Sequence, residues 1–402
     1  MKNYNEFEQS IKESLEEFRL GYKKRDIEVV DEYIESLFLK DEKTAILGTS
    51  FGEWMMGTAG AKELVQSDWK YWGDVDIDTD NACISIFDDA AFVSLKGTVR
   101  YQFEYTEEKY DSYLNFVKQF FDPSNEQSKM SSKAKAGIMG FVLTHFNQNR
   151  KEGKREYFYP LRINAVMTMQ KDRAVFRFMK FSMDYYNKYP ELRIDNQMMD
   201  INEYYQQQSD FAEAFMKEQR PEIKDVIKEF KKLIEKGFNK SGTKDEVRNS
   251  FCSNSPYITD TAGKLHKDEV LLDFIEGQRE VWEKLAIDFK AVYADVQGST
   301  AWLICNGLAS KNISQEKGAE MLMSDIKNTV ERNMTSKDKL FIVQKEVANY
   351  FLQQAKGECF LWPVRIAVML VAEDNKWKIH NMSLSYPYYY ILEDKYTGAE
   401  MI

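Results

Sequence analysis

Hydrophobic positions along this chain follow two rhythms, one helical and one extended. Ile11, Leu15, Phe18 and Tyr22 recur at helical spacing and mark one apolar face of an amphipathic helix. Val30, Ile34 and Leu37 mark a second helix, residues 44–48 a short strand, and 57–72 a third helix carrying Leu64 and Trp69. After Gly73 the rhythm becomes extended, over roughly 75–87, 91–105, 156–170 and 174–183. Asp88-Asp89 and Lys171-Asp172 supply polar turn residues between those runs. Helices followed by long antiparallel strands predict an α+β fold rather than a parallel sheet. An insertion of about 50 residues separates the second and third long strands. It carries two helical stripes, Tyr110/Leu114/Val117/Phe121 and Ile138/Val142/Phe146, and reads as extra packing in preference to a lid.

The pattern then repeats. Residues 159–186 align without a gap on residues 362–389, an offset of 203. Pro160/Pro363, Arg162/Arg365, Ile163/Ile366, Met179/Met382, Ser182/Ser385, Tyr185/Tyr388 and Tyr186/Tyr389 are identical, and most other pairs keep apolar character. Residues 77–100 align on 287–310 at an offset of 210, and 11–22 on 227–238 at 216. The shrinking offset places small deletions between elements, where loops absorb them best. Stripes at Ala319/Leu322/Met323/Ile326/Val330 and Val343/Val347/Tyr350/Phe351 repeat the helical insertion as well. The expected organisation is two copies, residues 1–200 and 201–402, joined by a polar, Gln-rich connection over 187–220.

The segment 45–72, AILGTSFGEWMMGTAGAKELVQSDWKYW, resembles the G-T-x-x-G-E-W-x-x-G…W stretch of SnoaL-like proteins. Their V-x-I-D…V-S-x-x-G strands have a counterpart in residues 75–97. These proteins are a branch of the nuclear transport factor 2-like superfamily, which also holds ketosteroid isomerases. The resemblance covers most of copy one. Copy two is reached only through the repeat and has Tyr257-Ile-Thr-Asp-Thr-Ala-Gly-Lys where the G-E-W segment would fall. What the resemblance implies is two tandem cystatin-like cones, each a curved antiparallel sheet wrapped around helices, with an apolar pocket at the open end. It also implies that activity, where there is any, rests on carboxylates or tyrosines in that pocket, and in copy one alone.

Composition narrows the function classes. The chain has 65 acidic and 55 basic residues, a net charge of −10, and no Lys/Arg block backed by aromatic residues, which argues against nucleic-acid binding. No apolar run approaches the length of a membrane span, and the charged start lacks the apolar region of a signal peptide. Cys83, Cys252, Cys305 and Cys359 are widely spaced and read as reduced thiols of a cytoplasmic protein. His145, His266 and His380 share no metal spacing, and the common nucleotide and nucleophile motifs are missing, so no metal or cofactor is expected.

Candidate chemistry therefore centres on the G-E-W segment. Glu53, beside the indole of Trp54, and Asp68, on the third helix, are the candidate acid–base residues. The plainer readings are that Glu53 holds a loop and Asp68 is a solvated helix residue. Trp54, Trp69, Trp72, Tyr101 and Tyr185 are the candidate ligand-binding residues, with core or interface packing as the plain alternative. Strand alternation puts Tyr159, Leu161, Ile163 and Ala165 on one face and Arg162 and Asn164 on the other. Arg162 and Arg365 are thereby expected on the outer face, bridging to a strand neighbour or to the other copy. The two copies are expected to pair sheet to sheet within the chain. Three functions stay open: binding of a small apolar molecule in the pocket of copy one, a non-catalytic module for a protein partner, and an isomerase or cyclase.

Overall fold

A computed structural model describes residues 4–50, 53–104, 107–148, 154–184, 221–239 and 242–387. The first copy runs α1 (Tyr4–Lys24), α2 (Val30–Leu37), β1 (Ala45–Leu47), β2 (Trp54–Met56), α3 (Gly57–Tyr71), β3 (Asp74–Ile77), β4 (Cys83–Phe87), β5 (Ala90–Glu104), α4 (Glu107–Gln119), α5 (Ser132–Gln148), β6 (Lys154–Gln170) and β7 (Arg173–Met183). The second runs α6 (Pro221–Leu233), α7 (Lys244–Arg248), β8 (Tyr257–Thr259), β9 (Leu265–Lys267), α8 (Asp268–Val281), β10 (Lys284–Ile287), β11 (Tyr293–Gln297), β12 (Thr300–Asn312), α9 (Gln315–Glu331), α10 (Ser336–Ala355), β13 (Cys359–Glu373) and β14 (Lys376–Ser385).

Each copy builds one seven-stranded sheet, and the strand orders match. The first is β2-β1-β7-β6-β5-β3 with β4 also on β5, and the second is β9-β8-β14-β13-β12-β10 with β11 also on β12. The long strands are antiparallel, as expected, while short β1 and β8 join β7 and β14 in parallel and make both sheets mixed. Register shifts after Val166 and after Met369 put a bulge at the same place in each copy, where a strand bends and twists more strongly. The α+β expectation of two units, each a largely antiparallel sheet packed on helices, is met. The expected strand over 75–87 is two strands, because Asp78 turns the chain by accepting from the backbone N–H and the amide of Asn81.

Helices fill the concave side of each sheet. Phe7, Ile11, Leu15, Phe18 and Tyr22 of α1 are all buried, each contributing about 1.5–3 kcal/mol by leaving water. Ser10 and Ser14 seat the helix on β7, one accepting from the N–H of Ala174 at 2.8 Å and the other donating to its carbonyl at 2.6 Å.

The other faces of the two sheets pack against each other. Ala45, Leu47, Trp54, Phe92, Val166 and Phe178 of copy one meet Tyr257, Tyr293, Trp302, Ile304, Ala367 and Met369 of copy two. Arg162 and Arg365, each under 3% exposed, cross this layer. Arg162 donates to the carbonyl of Asp260 and Arg365 to that of Gly48, at 3.0 and 2.6 Å. Gly48 and Asp260 are the residues that follow β1 and β8, so the two bonds are related by a local twofold. Lys180 and Ser383, at equivalent places in the repeat, meet on that axis: the ammonium lies 3.4 Å from both the carbonyl and the hydroxyl oxygen of Ser383. The insertion helices cross between copies too. A Cβ on Gly137 of α5 would stand 3.1 Å from that of Ala355 on α10, so the glycine permits the close approach.

Candidate functional site

Tyr22 lies near the end of α1 and Asp68 on the last turn of α3, and the Tyr22 hydroxyl donates to Asp68 Oδ2 at 2.7 Å. Arg25, in a left-handed conformation just past α1, ties these helix ends together. Its guanidinium donates to the carbonyls of Tyr22, Trp72 and Gly73. Gly73 runs so close to β5 that a Cβ there would lie 2.5 Å from the Arg100 carbonyl oxygen.

Aromatic rings surround the carboxyl. Trp69 stands edge-on to Tyr22 at 6.2 Å and lies 5.0 Å from the Tyr33 ring. Tyr22 packs at 4.9 Å on Phe18, Trp72 meets Phe181 edge-on at 5.9 Å, and Tyr101 meets Tyr159 edge-on at 5.6 Å. The indole N–H of Trp69 is buried and meets no acceptor among the described residues. Trp72, Tyr101 and Asp68 keep some contact with solvent, so the cluster lies at the edge of the core rather than at its centre.

Burial pushes the Asp68 carboxyl up to about 7; the charge of Glu53 pushes the same way, while the Tyr22 hydroxyl and Arg25 pull it down. Burial likewise raises the Tyr101 phenol to about 12 and the Tyr22 phenol well above its usual range. Near neutrality this corner therefore offers two neutral phenols and a carboxyl that exchanges its proton readily.

Of the other sequence candidates, Glu53 stands near enough for its charge to reach Asp68 and Tyr101, and Trp54 lies elsewhere. Glu53 accepts from the backbone N–H of Ser50 at 2.8 Å, and its own backbone pairs with Gly48 and Ser50. The Gly48 and Ser50 carbonyls receive Arg365, so Glu53 also bonds within the turn on which copy two docks. Trp54 packs between the sheets, on the opposite face from Trp69. Tyr185 lies outside the described residues. Sequence reading missed Tyr22 as a polar partner, because its place on the apolar stripe gave it a core role; the repeat held the signal. Tyr22 aligns with Phe238, and Asp68, four residues before the tryptophan that ends α3, corresponds to Gln278 before Trp282 of α8. Copy two thus has neither the hydroxyl nor the carboxyl.

The remaining titratable candidates are structural in their surroundings. His266 pairs with Asp260 at 2.7 Å within the turn that receives Arg162. His380 lies 3.5 Å from the Cys252 sulfur and edge-on to Phe87 of copy one at 4.7 Å, and burial lowers its pKa to about 4, so the ring is neutral. Among the described residues no group of three or more His, Cys, Asp or Glu side chains is placed to hold a metal ion. No helix among them is long and apolar enough to cross a membrane.

No family model matches the chain, and no curated protein matches it. Solved structures do. A Nostoc punctiforme protein of unknown function with a cystatin-like fold is 12% identical, covering 44% of this chain and 90% of its own, with a TM-score of 0.25. A nuclear transport factor 2-like superfamily protein from Salmonella enterica is 10% identical, covering 44% and 92%, with a TM-score of 0.27. A Novosphingobium aromaticivorans protein provisionally described as a scytalone dehydratase is 8% identical, covering 47% and 93%, with a TM-score of 0.28. Less than half of this chain spans nearly the whole of each. Whatever those proteins do is said of them alone.

Proposed function

We propose that copy one binds a small, largely apolar molecule at the Asp68 end of its cone, with the protonated carboxyl as the polar anchor. The observation that supports this most is a carboxyl with a pKa near 7, set among aromatic rings and beside a buried, unpaired indole N–H. The rings offer apolar contact, and the acid offers a donor to a carbonyl or ether oxygen. We take the chain to be a cytoplasmic tandem duplication, with residues 1–200 as the ligand-binding copy and 201–402 as its structural counterpart.

Titration with 2-acetylnaphthalene, followed by quenching of tryptophan fluorescence, tests the reading. A ketone bound by the acid form should bind at least tenfold more weakly at pH 8.5 than at pH 6, as a pKa of about 7 requires. Asp68→Asn keeps a donor and should bind with no pH dependence in that range. Absence of saturable quenching, or an equal pH dependence in the two proteins, would end the proposal.

Proton transfer is the second reading, supported by the same pKa, which lies where a general base works best at neutral pH. Asp68 as carboxylate would take a proton from the carbon beside the ketone, while Tyr22 or Tyr101 donates to the developing enolate oxygen. Exchange of the methyl deuterons of 2-acetylnaphthalene into water, followed by NMR, reads this directly. Binding with no acceleration over Asp68→Asn would leave the binding role alone.

A further inference from the structure

A cavity lies in copy two, apart from the Asp68 cluster. It measures about 550 Å³ and opens between α9, α10 and the facing ends of β12 and β13. That volume falls within the range of about 300–1,000 Å³ typical of small-molecule sites. Its floor is apolar: Ile313, just past β12, and Phe360, at the start of β13, are 3% and 8% exposed. Thr329 of α9 and Gln353 of α10 are buried among its walls, and Met321 adds a flexible apolar wall.

The polar groups are arranged rather than scattered. Gln353 Nε2 donates to Asn349 Oδ1 at 3.0 Å, one turn apart on α10, which fixes the orientation of both carboxamides. An amide whose oxygen is already engaged by a neighbour presents its N–H groups in a set direction. Of the five charged members of the lining, Lys317, Asp325 and Arg332 are exposed and stand at the rim, while Lys311 and Glu346, opposite in sign, are half-buried. The buried members, Ile313, Thr329, Gln353 and Phe360, carry no charge, so a charged guest on this floor would lose hydration without a fully buried counter-charge, a penalty that a neutral guest escapes. A ring fits the apolar floor, and an edge carrying both a donor and an acceptor fits the paired amides and the Thr329 hydroxyl.

We propose that this cavity is a binding site for a neutral, ring-bearing carboxamide, its ring on Ile313 and Phe360 and its amide against Asn349 and Gln353. The site does not depend on the reading of Asp68, and copy two thereby has a ligand role of its own.

Calorimetric titration of the full chain with benzamide, beside toluene and benzoate, tests it. Benzamide should bind at millimolar concentration or below, at least tenfold more tightly than either control. Asn349→Leu and, as a milder change, Thr329→Val should each weaken benzamide several-fold. The proposal fails if benzamide does not bind, if toluene or benzoate binds as well, or if both cavity variants bind like the parent. It fails equally if Asp68→Asn abolishes binding, because the heat then comes from copy one.

Discussion

Asp68 carries a proton at pH values where the unfolded chain would have released it, and this links ligand binding to stability. Its folded pKa of about 7 lies above the ordinary aspartate value of 3.8, so between those limits the folded state holds more protons. Stability from this group is therefore full below about pH 4 and declines as pH rises toward 7. Asp68→Asn should melt a few degrees above the parent at pH 8, with the gap closing by pH 4, as read by thermal unfolding across pH. Lys180 behaves in the opposite sense. Burial first, and then Arg162 and Arg365, push its pKa well below the lysine range, so the unfolded state takes up more protons and stability falls as pH drops. Lys180→Met, close in volume, should raise the melting temperature and flatten its decline as pH falls below the ordinary lysine value of 10.5. A helical stripe read from sequence reports which way a residue faces, not what its polar tip touches. For that reason Asp68 was legible as a candidate while the hydroxyl opposite it was not.

At the scale of elements, two arginines act as cross-braces, and they should differ in what their loss costs. Arg162 faces the buried carboxylate of Asp184 at 3.3 Å as well as the carbonyls of Asp260 and Leu384. Arg365 bonds the neutral oxygens of Gly48, Ser50 and Asn306. Arg162→Ala strands a buried charge and should cost about 3–5 kcal/mol; denaturant unfolding should find Arg365→Ala less severe. Strand alternation alone pointed both side chains away from the helices, because a period of two assigns faces without any knowledge of the partner. The same rule had no purchase on Trp54. It sits in a three-residue strand, too short to establish a face, and its indole packs between the sheets. The break at Asp78 escaped notice because an Asx-type turn inside an apolar run leaves the alternation on either side intact.

For the molecule as a whole, the repeat in the sequence foretold the matching strand orders, since an unbroken offset across two long strands constrains everything paired to them. The layer between the sheets was less visible, because its residues come from strands whose other face is equally apolar. Separating the copies would expose Leu47, Phe92, Val166 and Phe178 together, a patch of the kind that drives association. Residues 1–200 produced alone should accordingly self-associate or aggregate, as sedimentation velocity would show, and mixing with residues 201–402 should restore a one-to-one complex. A double variant, Tyr22→Phe with Asp68→Gln, copies the pair found in the second cone. It should fold normally by circular dichroism while losing the pH-dependent binding of the ketone.

Lys180 and Ser383 occupy a place where a pair of identical chains would confront each half with its own reflection. Two first copies would bring lysine against lysine there, each beside the arginines that already disfavour its charge. Mismatched, the position seats a lysine against a serine, and because both halves share one chain the pairing holds at any concentration. A partnership that cannot be exchanged also relaxes the demand for sameness: one half can keep its acid and hydroxyl while the other trades them for glutamine and phenylalanine.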